Sequence, residues 1–308
     1  MRTSWSFADF VDSLAISLEK YYIVPELGEL MADSLREGLR SGRFEKIEDG
    51  DSLLVAVNSL LQRISEDSHL KVSWLDPEET SVGGDGSVSD REMAQWRAEN
   101  FGFRRVEILD GNIGLLDLRE FRDTAYASKT LAAASGFLAN SDALIIDLRR
   151  CRGGRPEMVQ LLASYFVSAP TLLSKSYDRY DNDTTEMWSL KKVAGVPLYD
   201  RPVVLLTGPR TASAGEGFAS ALMRCGRARV VGERTAGAGH MARIVDFAAM
   251  DIRLKLPTGS PIDGQQIQGE GVIPDVSASG EEALLIAHAE ALKAAAGQSD
   301  DDLKAGMC

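Results

Sequence analysis

The chain has 308 residues, of which 44% are hydrophobic, and its 34 basic and 46 acidic side chains give a formal net charge of −12. This length and apolar content are sufficient for one large domain and a smaller one. The negative charge argues against the basic patches that binding to nucleic acids or anionic membranes requires. The three cysteines, Cys151, Cys225 and Cys308, are widely spaced and form no CxxC pair, so we expect neither a disulfide framework nor a zinc site.

Location and partners are predicted from the same features. No apolar segment is long enough to span a bilayer, and the start MRTSWSFADFVDSL lacks the pattern of a secretory signal. With reduced thiols, this predicts a cytoplasmic protein. We expect no metal and no cofactor, and the sequence leaves open whether the chain forms a homo-oligomer.

Residues 1–70 are expected to form a small N-terminal helical cap domain. Apolar positions recur at helical spacing in FADFVDSLAISL, LGELMADSLREGL and DSLLVAVNSLLQRI, with breaks at Pro25 and around EDGD, which predicts about three helices. Residues 71–102 begin with the short strand pattern HLKVSWLD. This strand pattern itself starts at His69, and residues 71–102 continue as a stretch rich in Gly, Ser and Asp that predicts a flexible linker.

Residues 103–292 alternate between strand and helix patterns. The apolar runs NIGLLDL, ALIIDLR, PVVLLTG and ARVVGE predict buried strands, with helical patterns between them. This alternation predicts an α/β catalytic domain with a mostly parallel sheet, in which sites collect at the carboxyl ends of the strands. Further strands and a Gly-rich loop are expected in residues 245–275, then a closing amphipathic helix, and a polar C-terminal tail over residues 293–308.

Ser213 stands between the apolar run PVVLLTG and the Ala-rich stretch AGEGFASAL, at a predicted strand-to-helix turn. The first N–H groups of a helix have no intrahelical partner and present partial positive charge in front of the turn. Ser213 is therefore either an ordinary N-cap or a nucleophile beside oxyanion donors. The second interpretation requires a base from elsewhere in the chain.

The chain contains three histidines as candidate bases. His288 lies within the last helical pattern and is expected to be structural. His69 follows Ser68 at a helix-to-strand junction, where a side chain can be exposed but rigidly held, and it is either incidental or functional. His240 ends the Gly-rich loop GERTAGAGH, which leaves the strand next to the Ser213 helix, so it is the alternative base or a substrate-binding residue.

A second candidate segment, DLRRCRGGRP, ends a buried strand with Gly153 and Gly154 and opens a helix at Pro156. Glycines at this position let a ligand approach the backbone, and their N–H groups can line an anion cavity. The segment is a phosphate site, half of an oxyanion hole or a tight turn. The known phosphate-loop and dinucleotide motifs are absent from the sequence.

Four motifs, ALIIDLRRCRGG, RTASAGEGFASAL, VVGERTAGAGH and GEGVIPDV, occur in an order and at spacings that resemble the S41 serine peptidases, which include the C-terminal-processing and tricorn-core peptidases. The helical start followed by DSHLKV resembles the branch that contains the repeats of interphotoreceptor retinoid-binding protein. The resemblance covers about residues 5–290. It implies an α/β fold of the crotonase and Clp protease type, a superhelix of ββα units with a small N-terminal helical domain.

The resemblance also implies a Ser-His-Ser-Glu site of the tricorn type. Ser213 matches the nucleophile, and Ser68 and His69 match the Ser-His pair, whereas the lysine of Ser-Lys members is absent from the loop TAGAG. The position of the glutamate holds Gln268, with Glu270 two places later. Either residue is a candidate for the fourth member, although a neutral glutamine could not stabilise an imidazolium by charge.

The implied chemistry is acyl transfer on a peptide or protein substrate. His69 would take the proton of Ser213, while the N–H of Ala214 and that of Gly153 or Gly154 would hold the oxyanion.

Processing peptidases usually carry a PDZ domain, for which residues 72–100 are too short. Substrate selection is therefore expected on residues 176–189 and the N-terminal helices. Two other classes remain open: a non-proteolytic homologue that binds a retinoid, lipid or peptide, and an acyl-transfer hydrolase on the same fold. A crotonase-like acyl-CoA enzyme would leave Ser213 unexplained.

Overall fold

The computed structural model describes residues 6–44, 47, 49–75, 88–168, 170–264 and 266–305. Within these ranges the chain divides into two compact units. The first unit contains the residues up to 92 together with residues 176–185 and 240–262, and the second contains the others. None of the helices in the described ranges combines the length and the apolar content that crossing a bilayer requires.

The helices of the described residues are, in chain order, α1 (Phe7–Tyr21), α2 (Pro25–Arg40), α3 (Gly50–Ser65), α4 (Asp90–Ala98), α5 (Thr124–Leu138), α6 (Pro156–Ala163), α7 (Ala214–Arg224) and α8 (Glu282–Ala305). The strands are β1 (Lys71–Trp74), β2 (Phe103–Leu109), β3 (Ile113–Leu118), β4 (Ala143–Asp147), β5 (Leu172–Asp178), β6 (Asp183–Trp188), β7 (Val203–Thr207), β8 (Ala228–Gly232), β9 (Met241–Phe247), β10 (Ile252–Pro261) and β11 (Val276–Ser277).

In the first unit, α1, α2 and α3 are the three helices that the apolar spacing predicts. Their starts follow local chemistry. The Ser6 side chain caps α1, Pro25 opens α2, and the Asp49 carboxylate accepts the N–H of Ser52 at the start of α3. The helices pack on an antiparallel sheet in which β10 pairs with both β1 and β9. This packing joins the chain around residue 70 to segments more than 150 residues later.

The second unit contains a six-stranded sheet in the order β11-β8-β7-β4-β3-β2. All neighbouring pairs are parallel except β2 with β3. Both faces are covered, as the unbroken apolar run of β4 indicates. Leu144 and Ile146 lie in the core with α5, α6 and α7, whereas Ala143 and Ile145 lie in the core with α8. The predicted α/β architecture is confirmed.

The parallel strands β3, β4, β7 and β8 bring their carboxyl ends to one edge of this sheet. The loops that follow β4, β7 and β8 carry the Gly153–Gly154 pair, Ser213 and the TAGAG segment. Three of the motifs identified in the sequence therefore lie on neighbouring loops of the second unit.

The units differ from the predicted domain boundaries in several places. Residues 176–185 and 240–262 return to the first unit, where β10 supplies a strand for the packing of α1 to α3. Part of the predicted linker, residues 76–87, lies outside the described residues, but Asp90–Ala98 forms α4. The predicted C-terminal tail begins within a helix, because α8 continues to Ala305.

Candidate active site

Ser213 lies at the turn between β7 and α7, in a backbone conformation that L-residues rarely adopt. Its φ is 52° and its ψ is −120°. Such a conformation costs about 1–3 kcal/mol and persists only where the surrounding structure enforces it. A strained serine at a sharp strand-to-helix turn is also how one large class of hydrolases exposes its nucleophile. The turn is therefore able to present a reactive hydroxyl at the edge of the sheet.

Hydrogen bonds to both neighbouring loops hold this turn. Thr211 Oγ1 donates to the carbonyl of Leu148 at 2.8 Å, and the Ala212 N–H donates to the carbonyl of Cys151 at 3.0 Å. From the other side, the Ala236 N–H donates to the Thr211 carbonyl at 2.9 Å. The turn thus joins the loop after β4 to the loop after β8.

Glu216, in the first turn of α7, is fully buried. Its Oε2 accepts the N–H groups of Ser213 at 2.8 Å and Ala238 at 2.9 Å. Its Oε1 accepts the Thr235 hydroxyl at 2.5 Å and the Gly237 N–H at 2.7 Å. One carboxylate therefore fixes both the strained serine and the TAGAG loop, at a helix N-terminus where negative charge is favourable.

Gly153 and Gly154 have φ values of 101° and 132°, which favour glycine. A Cβ on Gly153 would lie 2.8 Å from the Ser213 Cβ and 3.1 Å from the Ala214 nitrogen. On Gly154, it would lie 2.2 Å from the carbonyl oxygen of Phe121. The Ala214 N–H, the first in α7, has no intrahelical acceptor by the geometry of a helix. The glycine loop thus lies against Ser213 and the first residue of α7.

In the first unit, the two candidate bases His69 and His240 flank one carboxylate, that of Asp67. Asp67 is fully buried at the junction between α3 and β1. Its Oδ1 accepts the backbone N–H of His69 at 2.9 Å and lies 3.7 Å from His69 Nδ1. Its Oδ2 accepts the Tyr22 hydroxyl at 3.2 Å and lies 2.7 Å from His240 Nδ1. Both histidines are themselves buried, each with 8% exposure.

The charges of this cluster follow from burial and hydrogen bonding. Burial raises the pKa of Asp67, but the hydrogen bonds from His240 and from the His69 N–H outweigh it and lower the pKa below its ordinary value. Asp67 is therefore an anion at neutral pH and only accepts hydrogen bonds. It follows that His240 Nδ1 carries a proton and, in the neutral ring, Nε2 is an acceptor.

His69 and Tyr22 are both held in their neutral forms. Burial lowers the pKa of His69 to about 4, and the positive charge of Lys255 acts in the same direction, while Asp67 opposes it. Burial also raises the pKa of Tyr22, with a further contribution from Asp67. The cluster therefore contains one anion, Asp67, beside an imidazole that accepts a proton only at some energetic cost.

The other predicted site residues have different surroundings. Ser68 and Glu270 are exposed. Gln268 Oε1 accepts the Gly239 N–H at 2.9 Å, so that this side chain supports the end of the TAGAG loop. His288 Nε2 lies 2.8 Å from the carbonyl oxygen of Asp110, a contact between α8 and a loop of the second unit that fits a structural role.

Sequence reasoning missed two residues, Glu216 and Asp67, although each has a local signal. Ser213 and Glu216 have the S-x-x-E spacing of a capping box, in which the glutamate accepts the N–H of the cap residue. Asp67 stands two places before His69, the spacing at which an aspartate accepts a backbone N–H in an Asx-turn. The partners of Asp67 at Tyr22 and His240 have no such signal, because they are 45 and 173 residues away.

Comparisons with known proteins identify the family of the chain. The family model described as peptidase family S41 matches residues 112–278, and the model of the N-terminal domain of peptidase S41 in eukaryotic IRBP matches residues 3–99. The chain is 27% identical to the carboxy-terminal processing protease CtpA of Bacillus subtilis (strain 168) over 173 residues, which are 56% of this chain and 36% of that protein. It is 30% identical to carboxyl-terminal-processing peptidase 1, chloroplastic, of Arabidopsis thaliana over 247 residues, which are 74% of this chain and 48% of that protein.

Solved structures show the same fold. A putative peptidase from Parabacteroides merdae matches with a TM-score of 0.63 at 18% identity, over 92% of this chain and 93% of that one. The tricorn protease matches with a TM-score of 0.54 at 13% identity, over 89% of this chain and 34% of that one. The predicted fold, with its small N-terminal helical region, is confirmed.

The chain spans about a third of the length of the first curated relatives that it matches, at 36% and 34% of their residues. The S41 family model nevertheless covers more than half of the chain, including the β4, β7 and β8 loops that carry the glycine pair, Ser213 and the TAGAG segment. The chain belongs to peptidase family S41.

Proposed function

We propose that the chain is a serine peptidase of the carboxyl-terminal-processing type, with Ser213 as its nucleophile and His69 as its general base. The observation that carries this proposal is the strained backbone of Ser213, held by Glu216 and in contact with Gly153. Membership of family S41 supports the same reaction class, and the curated relatives are named as carboxyl-terminal-processing proteases.

In the proposed reaction, Ser213 Oγ attacks the carbonyl carbon of a peptide bond as His69 takes its proton. The negative oxygen of the tetrahedral intermediate accepts the N–H of Ala214 and that of Gly153 or Gly154. His69 then gives its proton to the leaving amine, and water hydrolyses the acyl-enzyme by the same steps in reverse. The low pKa of His69 keeps the imidazole neutral at neutral pH, so that a ring nitrogen is an acceptor for the Ser213 proton, although burial makes the resulting imidazolium costly.

The remaining predicted residues have secondary roles in this proposal. Ser68, with Gln268 or Glu270, would orient the imidazole, and His240 is the alternative base. Substrate selection would rest on residues 176–189, which contain the end of β5 and all of β6, and on the N-terminal helices.

A non-proteolytic homologue that binds a peptide or lipid is the second candidate. Gln268 favours it, because tricorn-like members have a glutamate at this position and a glutamine carries no charge to support an imidazolium.

Labelling with a fluorophosphonate, followed by mapping of the modified peptide by mass spectrometry, tests the nucleophile. We expect the label on Ser213, its loss in Ser213→Ala, and its retention in the matched control Ser220→Ala on the same helix. Label on another serine, or no label at all, would contradict the proposal and favour the binding homologue.

Replacement of the histidines tests the base. We expect His69→Ala to lower kcat by about 10²-fold or more, the usual scale for loss of general-base catalysis, and His240→Ala to lower it less. The reverse order would make His240 the base.

A further inference from the structure

The side chains around Asp67 come from four places in the first unit. They are Tyr22 at the end of α1, His69 before β1, His240 before β9, and Lys255 on β10, which acts on the cluster through its charge. The carboxylate has one oxygen toward His69 and the other toward His240 and Tyr22. A buried anion in such a position is costly unless it is fully hydrogen-bonded. Here Tyr22, His240 and the His69 backbone supply those hydrogen bonds.

We infer that Asp67, anchored by His240, is the positioning residue that fixes His69 and supplies the negative charge that stabilises its imidazolium. This inference rests on the proposed function, in which His69 is the base. In tricorn-like members a glutamate has this electrostatic role. Here the inference assigns the role to Asp67, so that neither the neutral Gln268 nor the exposed Glu270 is needed for it.

Two geometric features carry the inference. First, the Asp67 Oδ1 accepts the His69 N–H at 2.9 Å, which fixes the backbone of His69. Second, the same oxygen lies 3.7 Å from His69 Nδ1 in a buried site. This separation is longer than a hydrogen bond but lies within ion-pair range, so a positive charge on the ring would be attracted to it.

His240 completes the arrangement as the anchor of the carboxylate. Its Nδ1 lies 2.7 Å from Asp67 Oδ2, and its ring packs edge-on against Tyr22 with the centroids 6.4 Å apart. Without this donor, the Tyr22 hydroxyl at 3.2 Å would be the one remaining donor to the second oxygen among the residues that the structure describes. His240 therefore serves His69 through Asp67 in this inference.

The first test is Asp67→Asn, compared with the exposed control Asp12→Asn on α1. We expect kcat to fall about 10²-fold with KM changed less than about twofold, because the lost charge acts on the protonated base. We also expect NMR titration to show a lower pKa for His69, because Asp67 raises the pKa of this imidazole. An unchanged titration of His69 would overturn the inference.

The second test replaces His240 by asparagine. The Nδ2 of an asparagine can occupy the place of the histidine Nδ1 and donate to Asp67. We expect His240→Asn to recover most of the activity that His240→Ala loses. Equal loss in both variants would overturn the inference, because it would make His240 Nε2 itself necessary. Failure of the proposed function can be distinguished from failure of this inference. In the first case the fluorophosphonate label would be absent from Ser213, while the His69 titration would still respond to Asp67→Asn.

Discussion

Glu216 in the second unit and Asp67 in the first are both fully buried carboxylates, but they hold their surroundings by different chemistry. Within the described part of the chain, three of the four donors to Glu216 are backbone N–H groups, which can only donate. Asp67 has one such donor, the His69 N–H, and its other partners are the hydroxyl of Tyr22 and the imidazole of His240. A hydroxyl can rotate and an imidazole can change tautomer, so both can also accept hydrogen bonds.

This difference separates a carboxylate needed for the fold from one needed for charge. In Glu216→Gln, the new amide would direct its own N–H groups at backbone N–H groups, which cannot become acceptors. In Asp67→Asn, the remaining oxygen could still accept the His69 N–H. The new amide group could donate to His240 and Tyr22, once the imidazole has changed tautomer and the hydroxyl has rotated so that both accept. Glu216→Gln should therefore destabilise the protein more than Asp67→Asn does.

Acid should have the largest effect on stability, and it acts on the first unit through His69. The folded-state pKa of His69 is about 4, below the ordinary value of 6.5, so the unfolded state binds more protons between these values. Stability should be fully present above pH 6.5 and decrease by up to about 3 kcal/mol as the pH falls to 4. Urea unfolding at a series of pH values measures this, and the decrease should become smaller in His69→Gln. The control His288→Gln should keep the full decrease in stability. If the decrease became equally small in both variants, the assignment to His69 would be wrong.

Glu216→Gln should have the next largest effect, with a loss of about 2 kcal/mol in the free energy of unfolding at pH 7, because at least one buried N–H loses its acceptor. Asp67→Asn should change that free energy by less than about 1 kcal/mol, because its partners can reverse. Chemical denaturation of both variants, with the exposed Glu233→Gln as control, measures the difference. A greater loss of stability in Asp67→Asn than in Glu216→Gln would break the comparison.

Tyr22→Phe should have the smallest effect, about 1 kcal/mol of stability, because it removes one hydrogen bond to Asp67 and leaves the His240 and His69 donors in place. We expect the NMR titration of His69 to shift less than in Asp67→Asn, since the negative charge remains. A shift as large as that in Asp67→Asn would mean that the position of the carboxylate, and not its charge, controls His69.

Much of the fold was predictable because its signals are local. Apolar residues at helical spacing predicted α1, α2 and α3, and the run ALIID predicted a buried strand, which the structure covers on both faces. The position of Ser213 at the turn between β7 and α7 followed from an apolar run, a Gly-Pro break and an Ala-rich helix. The strand-helix alternation placed the glycine pair and Ser213 at the carboxyl ends of parallel strands, which lie at the same edge of a sheet. That β4 and β7 are neighbours came from the structure.

The sequence by itself thus determined the elements, their order and the strand ends at which the second unit carries its candidate groups. Only the tertiary structure decided that the backbone of Ser213 is strained and that residues 240–262 return to the first unit. It also decided that Asp67 faces two histidines, one of them 173 residues away. The physical reason is range: caps, turns and apolar periods depend on residues a few places apart, whereas a buried carboxylate takes its partners from every segment that the packing of the core brings to it.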